Sequence, residues 1–178
     1  LLGAQVHLVL GPTHLRPQNK SIQTYLINTA QELNNQCLAL FGQADIAILS
    51  AAVADYRPEN VHSSKIKKDG SGLSIKLIEN PDVLYNLGVQ KKEKQVLVGF
   101  ALETNDLVAN ARKKLIKKNC DLIVLNSPSA EGTGFGFETN RVHIIDRNGK
   151  EHKTELKTKH EIAQDIFNII LNYKHSSS

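Results

Sequence analysis

Asp55 closes a run of small residues, Ala51-Ala52-Val53-Ala54, and Lys65 follows it ten residues later with Lys67 and Lys68 beside it. Small side chains let a planar base or a ribose approach the backbone. A carboxylate at the end of such a run can take a ribose hydroxyl or a metal ion. A loop lysine can stabilise charge that builds on phosphate oxygens in a transition state. Asn80-Pro81-Asp82, leading into Val83, reads as a helix start, with Asn as N-cap and Pro at the first helical position. Free N–H groups and the positive dipole end there suit a phosphate. Phe100, before the small Ala101, could stack on a base. Lys114 and Lys118 stand four apart on one helix flank, and Lys113 and Lys117 make a second pair on the next. That spacing sets two ammonium groups side by side, so a bridging anion would relieve their repulsion.

Each feature has a plainer reading. Asp55 could cap a turn, Lys65 to Lys68 could be a solvated loop, and Asn80 could open an ordinary helix. Phe100 could be core, and Lys114 and Lys118 could simply complement a helix dipole. What favours chemistry is where these residues fall relative to the elements around them.

Residues 5–10 and 22–27 read as strands, the first ending at the breaker pair Gly11-Pro12. Thr29 and Glu32 have capping-box spacing at the head of a helix to Phe41, with Leu33, Cys37, Leu38 and Phe41 on one face. Residues 45–50 and 95–99 are short apolar runs of the kind buried on both faces of a parallel sheet, and 121–125 is another. Residues 51–72 read as an irregular excursion and 73–78 as an alternating, half-exposed strand. Helices are expected from Asn80 to about Leu87, from Asn105/Asp106 to about Lys118, and from a Thr158 cap to about Tyr173. Residues 126–140 form a Gly/Ser/Thr loop too long for a simple connector. Residues 141–146 and 151–156 bracket a turn at 147–149 as a hairpin.

This alternation predicts an α/β fold: a Rossmann-like, three-layer, doubly wound and mostly parallel sheet with an added antiparallel hairpin. A single domain over 1–173 and a disordered tail over 174–178 are expected. In such a sheet ligands bind beyond the carboxyl ends of the strands. The polar segments after 45–50, 95–99 and 121–125 should therefore share one edge. No GxGxxG or GxxxxGK[ST] occurs, residue 1 is not Met, and Leu1-Leu2-Gly3-Ala4 reads as the end of a helix. The expectation is that an N-terminal βα unit with its glycine-rich loop is missing upstream.

Composition narrows the classes. With 178 residues, 40% hydrophobic and 22% charged, the chain can form a real core. No stretch approaches the ~20 apolar residues of a membrane span, and no signal peptide is visible. A net charge of +4 and only 5% aromatic residues argue against a nucleic-acid module. Cys37 and Cys120 have no metal-ligand spacing and read as reduced, buried thiols of a cytoplasmic protein. Seven histidines are scattered without ligand spacing, and no metal site is assigned.

Taken in order, AAVADYRP, the KIKK that begins ten residues after its Asp, NPD, VGFALET, ARKKLIKK, DLIVLN and GFGFETN resemble phosphopantothenate–cysteine ligase over Gly3 to about Asn172. The resemblance implies a CTP-dependent enzyme of coenzyme A biosynthesis that joins 4′-phosphopantothenate to L-cysteine through an acyl-cytidylate, with Mg²⁺ offsetting triphosphate charge. It implies Lys65 as the catalytic lysine and Asp55 as a nucleotide contact. Asn80, Pro81, Asp82, Val83 and Phe100 would line the cytidine site, and Lys114 and Lys118 would hold phosphates. It further implies a homodimer and a fused or associated flavin-dependent decarboxylase domain carrying FMN. The family's upstream glycine-rich segment and Asn-Ser-Ser-Gly motif do not occur here, and Leu102 stands where the family usually has Ala. A nucleotide-binding module without catalysis and a Rossmann-like oxidoreductase domain are the competing readings.

Overall fold

A computed structural model describes residues 3–62, 64–68, 70, 72–102, 107–126 and 136–176. The expected polar strand end at Glu103 and Thr104 and the helix start at Asn105/Asp106 lie outside the described residues. So do most of the 126–140 loop, Leu1 and Leu2 of the expected helix remnant, and Ser177 and Ser178 of the tail. In chain order the elements are β1 (His7–Leu10), β2 (Gln23–Leu26), α1 (Ala30–Phe41), β3 (Ile46–Leu49), β4 (Tyr56–Pro58), β5 (Leu77–Glu79), α2 (Val83–Gln90), β6 (Val96–Leu102), α3 (Leu107–Lys117), β7 (Leu122–Asn126), β8 (Thr139–Asn140), β9 (Val142–Asp146), β10 (Glu151–Lys153), β11 (Lys157–Thr158) and α4 (Lys159–Ser176). The chain falls into two compact units: 1–36 with 52–83, and 37–51 with 84–178.

The first unit holds two small sheets. β1 and β2 pair in parallel, His7 opposite Gln23 through Leu10 opposite Leu26, and no helix lies between them in the chain. Thr29 accepts the N–H of Glu32 at 3.1 Å, as its spacing implies, while the Glu32 carboxylate takes the N–H of Asn28 at 2.7 Å. β4 and β5 pair antiparallel, with Tyr56 opposite Glu79 and Pro58 opposite Leu77. This ribbon was not expected over 51–72, and β5 is shorter than the expected strand over 73–78. Pro58 faces Leu77 in a non-hydrogen-bonded pair, where a missing N–H costs the ladder nothing. Glu59 carries the pairing on, its N–H donating to the Lys76 carbonyl and its carboxylate accepting from Lys76 Nζ at 2.7 Å.

The second unit is built on a five-stranded sheet in the order β10-β9-β7-β6-β3. β3, β6 and β7 pair in parallel, and β9 runs antiparallel to β7 and to β10, so four strands point one way. The registers put Leu49 beside Gly99 and Leu102 beside Asn126. The carboxyl ends of β3, β6 and β7 therefore share one edge, as the apolar runs require. Val96, Val98, Leu122, Val124, Val142 and Ile144 form one core face with Ile162, Ile166 and Ile170 of α4. Alternation turns Leu97, Gly99 and Ile123 to the other face. There a Cβ at Gly99 would lie 2.6 Å from Leu84 of α2 and 2.9 Å from Ile123, so the glycine is what seats the helix on the strand. Asn119, just past α3 and at φ 50°, donates to the Gly88 carbonyl at 2.8 Å and ties α2 and α3 together on that face.

At the opposite edge, where the strands begin, Asp121 is held by a buried network. Lys91 Nζ lies 2.8 Å from each carboxylate oxygen, Leu97 N–H donates at 2.7 Å and Tyr173 Oη at 3.4 Å. Thr158 and Glu161 form a reciprocal capping box at the head of α4, which continues to Ser176, past the expected end at Tyr173. Cys120 is fully buried, while Cys37 is half-buried where burial was expected, and both are free thiols. No described helix is long and apolar enough to cross a membrane.

Candidate functional site

In the first unit, Asp55 and Asn80 are 25 positions apart in the chain but adjacent in space. The Asn80 N–H donates to the Asp55 carbonyl at 2.8 Å, and its carboxamide Nδ2 donates to the Ala54 carbonyl at 2.8 Å. The β4–β5 ribbon makes this meeting possible, because its first pair, Tyr56 with Glu79, directly follows Asp55 and directly precedes Asn80. Arg57 closes the arrangement: its Nη1 donates to the Glu79 carbonyl at 2.8 Å and to Asn80 Oδ1 at 3.0 Å.

These bonds correct one expectation. Asn80 does not serve as the N-cap of α2, because both ends of its carboxamide are committed to Ala54 and Arg57. The helix starts at Val83, which leaves Asp82 in the flanking position. Pro81 fits a segment outside the helix equally well, since it needs no N–H partner. Val83 is buried, and the Asp55 side chain is exposed. Lys65 is exposed on the segment that joins β4 to β5. The unit thus brings together Asp55 and the strand-to-helix segment 80–83, with Lys65 on the connecting arm.

In the second unit, Lys114 lies in the last turn of α3 and Lys118 just beyond it. Both are half-buried, whereas Lys113 and Lys117 on the neighbouring flank are exposed. Lys118 Nζ lies 5.6 Å from the centre of the Tyr85 ring, in the first turn of α2. Its side chain therefore runs back along α2 towards that helix's N-terminal end. Phe100 is placed differently. It sits in β6 opposite Val124, half-buried, and packs against the core face covered by α4. Within this unit the structure does not bring Phe100 to the two lysines, because α3 lies on the other face.

Arg57 is the residue that sequence reasoning passed over. Its signal was present in the motif itself, an arginine two residues after the acid in a segment otherwise made of small and apolar side chains. Among the described residues no group of three or more His, Cys, Asp or Glu side chains forms a metal cage.

Comparison with known proteins agrees with this architecture. Residues 1–173 match the family model described as DNA/pantothenate metabolism flavoprotein C-terminal domain. A cysteine/cysteine sulfinic acid decarboxylase from an unknown prokaryotic organism is 47% identical over 174 residues, covering 98% of this chain and 48% of that protein. The coenzyme A biosynthesis bifunctional protein CoaBC of Bacillus subtilis is 40% identical over 166 residues, covering 93% of this chain and 40% of that protein. The crystal structure of the C-terminal domain of a CoaBC protein superposes with a TM-score of 0.78 at 36% identity, covering 95% of this chain and 74% of that one. The chain spans about half the length, or less, of the curated relatives it matches. It belongs to the family of DNA/pantothenate metabolism flavoprotein C-terminal domains.

Proposed function

We propose that this chain is the phosphopantothenate–cysteine ligase part of a coenzyme A biosynthesis protein and that it uses CTP. A free carboxylate is a poor electrophile, so the acid must first acquire a leaving group. A carboxylate oxygen of 4′-phosphopantothenate attacks the α-phosphorus of CTP. The bond to the β-phosphate oxygen breaks, and pyrophosphate departs. The amino nitrogen of L-cysteine then attacks the acyl carbon, the carbon–oxygen bond to the nucleotide breaks, and CMP leaves with that electron pair as the nitrogen gives up a proton. The product is 4′-phosphopantothenoylcysteine.

The observation that supports this reading is the link from Asn80 N–H to Asp55 O, which holds an exposed carboxylate beside the segment that opens α2. In the proposal Asp55 takes the nucleotide, and the stretch from Asn80 to Val83 lines its binding site. Lys118, drawn back over Tyr85, and Lys114 one turn earlier offset phosphate charge. Lys65, on its exposed arm, stabilises the charge that builds at the α-phosphate. Phe100 enters at the cytidine by resemblance, although its observed packing is with the core. By resemblance, Mg²⁺ would offset the charge of the triphosphate. The proposal extends to a homodimer, to a cytoplasmic location and to a flavin-dependent decarboxylase partner domain. The decarboxylase name of one relative would then describe the half of that protein which this chain does not cover.

The test is pyrophosphate release by the whole protein that carries this chain. CTP and ATP are compared, with 4′-phosphopantothenate and L-cysteine omitted in turn. Release that needs CTP and 4′-phosphopantothenate but not cysteine is expected. Absence of nucleotide-dependent release refutes the ligase reading.

A further inference from the structure

We infer that Arg57 is a positioning residue of this site, which holds Asp55 and the segment from Asn80 to Val83 as one rigid nucleotide-gripping element. The inference rests on the ligase reading and adds to it a residue that does not itself touch the reacting atoms.

The two halves of the grip come from segments separated by an arm whose described residues between Glu59 and Lys76 are exposed. The β4–β5 ribbon that joins them has only three residue pairs, too few to hold a fixed geometry alone. What supplements it is a chain of bonds centred on one carboxamide. Arg57 Nη1 uses both of its hydrogens, one on the Glu79 carbonyl and one on Asn80 Oδ1. Accepting from a guanidinium fixes which end of the Asn80 amide is oxygen. It thereby points Nδ2 at the Ala54 carbonyl, where the 2.8 Å bond is made. The Asn80 N–H then reaches the Asp55 carbonyl. Without the guanidinium the amide loses its charge-assisted partner and is free to flip, and the spacing between the Asp55 carboxylate and the start of α2 relaxes. A nucleotide held at both ends then loses ground-state and transition-state binding equally, so affinity falls while turnover at saturation is kept.

The experiment uses the whole protein and the variants Arg57→Gln, Asn80→Ala and the double variant, with Arg57→Lys read in the same way if Arg57→Gln does not fold. Two readouts are taken. Amide hydrogen exchange across 78–84 is expected to speed up in Arg57→Gln, while exchange in β6 and β7 stays as in the parent. The KM for CTP is expected to rise about tenfold, the usual cost of one charge-assisted bond, with kcat and the KM for cysteine unchanged. The double variant should lose less than the sum of the two single losses, since the Arg57–Asn80 bond is shared while the bond from Arg57 to the Glu79 carbonyl is not. Unchanged exchange at 78–84 overturns the clamp. Faster exchange with an unchanged KM for CTP, or a fall in kcat instead, overturns the positioning role. A parent that exchanges as expected but never uses a nucleotide refutes the ligase reading, and the exchange data identify that as the reason.

Discussion

Lys118 Nζ stands 5.6 Å from the centre of the Tyr85 ring, so a cation at the end of α3 is held against the first turn of α2. A lysine at a helix C-terminus needs no aromatic partner to complement the dipole, and this one is directed along the neighbouring helix instead. Such a contact is worth about 0.5–1 kcal/mol at a partly exposed site. Tyr85→Leu is therefore expected to loosen the ammonium and to remove this contribution to stability. Lys118→Gln is expected to raise the KM for CTP about tenfold with little change in melting temperature. Steady-state kinetics at varied CTP, beside a thermal melt, separate the two effects. An unchanged KM in Lys118→Gln removes the lysine from the phosphate site.

Gly88 decides how closely α2 and α3 approach. A Cβ there would overlap the Lys118 carbonyl oxygen and press on Asn119, both of them fixed by the end of α3. Alanine in a helix interior gains about 1 kcal/mol over glycine in propensity. Here the overlap is with backbone, which cannot swing aside. Gly88→Ala should therefore destabilise by roughly 1–3 kcal/mol in chemical denaturation. A stabilised variant would mean that the two helices are not packed as described.

Lys65 is exposed, so its removal leaves no cavity and no unpaired buried group. Lys65→Gln should keep the parent's melting temperature and lose about a hundredfold in kcat, the scale of one transition-state contact removed. Single-turnover pyrophosphate release measures the step directly. Full activity in that variant would transfer the catalytic role to another group.

Much of the second unit was legible in the sequence, and the reason is periodicity. Continuous apolar runs gave β3, β6 and β7 to within a residue or two at their starts, and the turn at Gly149, with φ 85°, marked the β9–β10 hairpin. The first unit was less legible because its order comes from distant hydrogen bonds and not from buried faces. Tyr56–Pro58 carries no alternation that distinguishes a strand from a loop. Asn80 has the composition of an N-cap, and only its bonds to Ala54 and Arg57, set by residues more than 20 positions away, show that the helix must start later. The same limit applied to the site. Asp55 with Asn80 could be selected as residue types, but the contact between them could not. Phe100 looked the same whether it met a base or a core.

The Lys91–Asp121 pair is structural, at the edge of the sheet away from the strand carboxyl ends. Its side chains are 8% and 9% exposed, so removing one partner strands a charge instead of returning it to water. Lys91→Met leaves the Asp121 carboxylate with Leu97 N–H and Tyr173 Oη as its remaining donors and should cost roughly 3–5 kcal/mol. The double variant Lys91→Met with Asp121→Leu should recover part of that loss. Urea denaturation of the four proteins of the cycle gives the coupling. Additive losses would show that the two groups do not act as a pair.

Cys120 gives the fold an alkaline limit. Burial, reinforced by the neighbouring Asp121 carboxylate, pushes its thiol from 9.0 up to about 12. The folded state therefore holds the proton more tightly than the unfolded chain. Its contribution to stability is fully present below pH 9 and drains away as pH rises towards 12, because the unfolded chain ionises first. Cys120→Ala removes that titration and also a buried sulfur atom, so it should be less stable than the parent at pH 7 but lose stability less steeply above pH 9. Unfolding free energies measured every half unit from pH 7.5 to the alkaline limit test the difference in slope. Native-state alkylation gives an independent check: the thiol should resist iodoacetamide at pH 8 until denaturant is added. Equal slopes in the two proteins, or rapid alkylation of the folded one, would show that Cys120 is not sealed in the core as described.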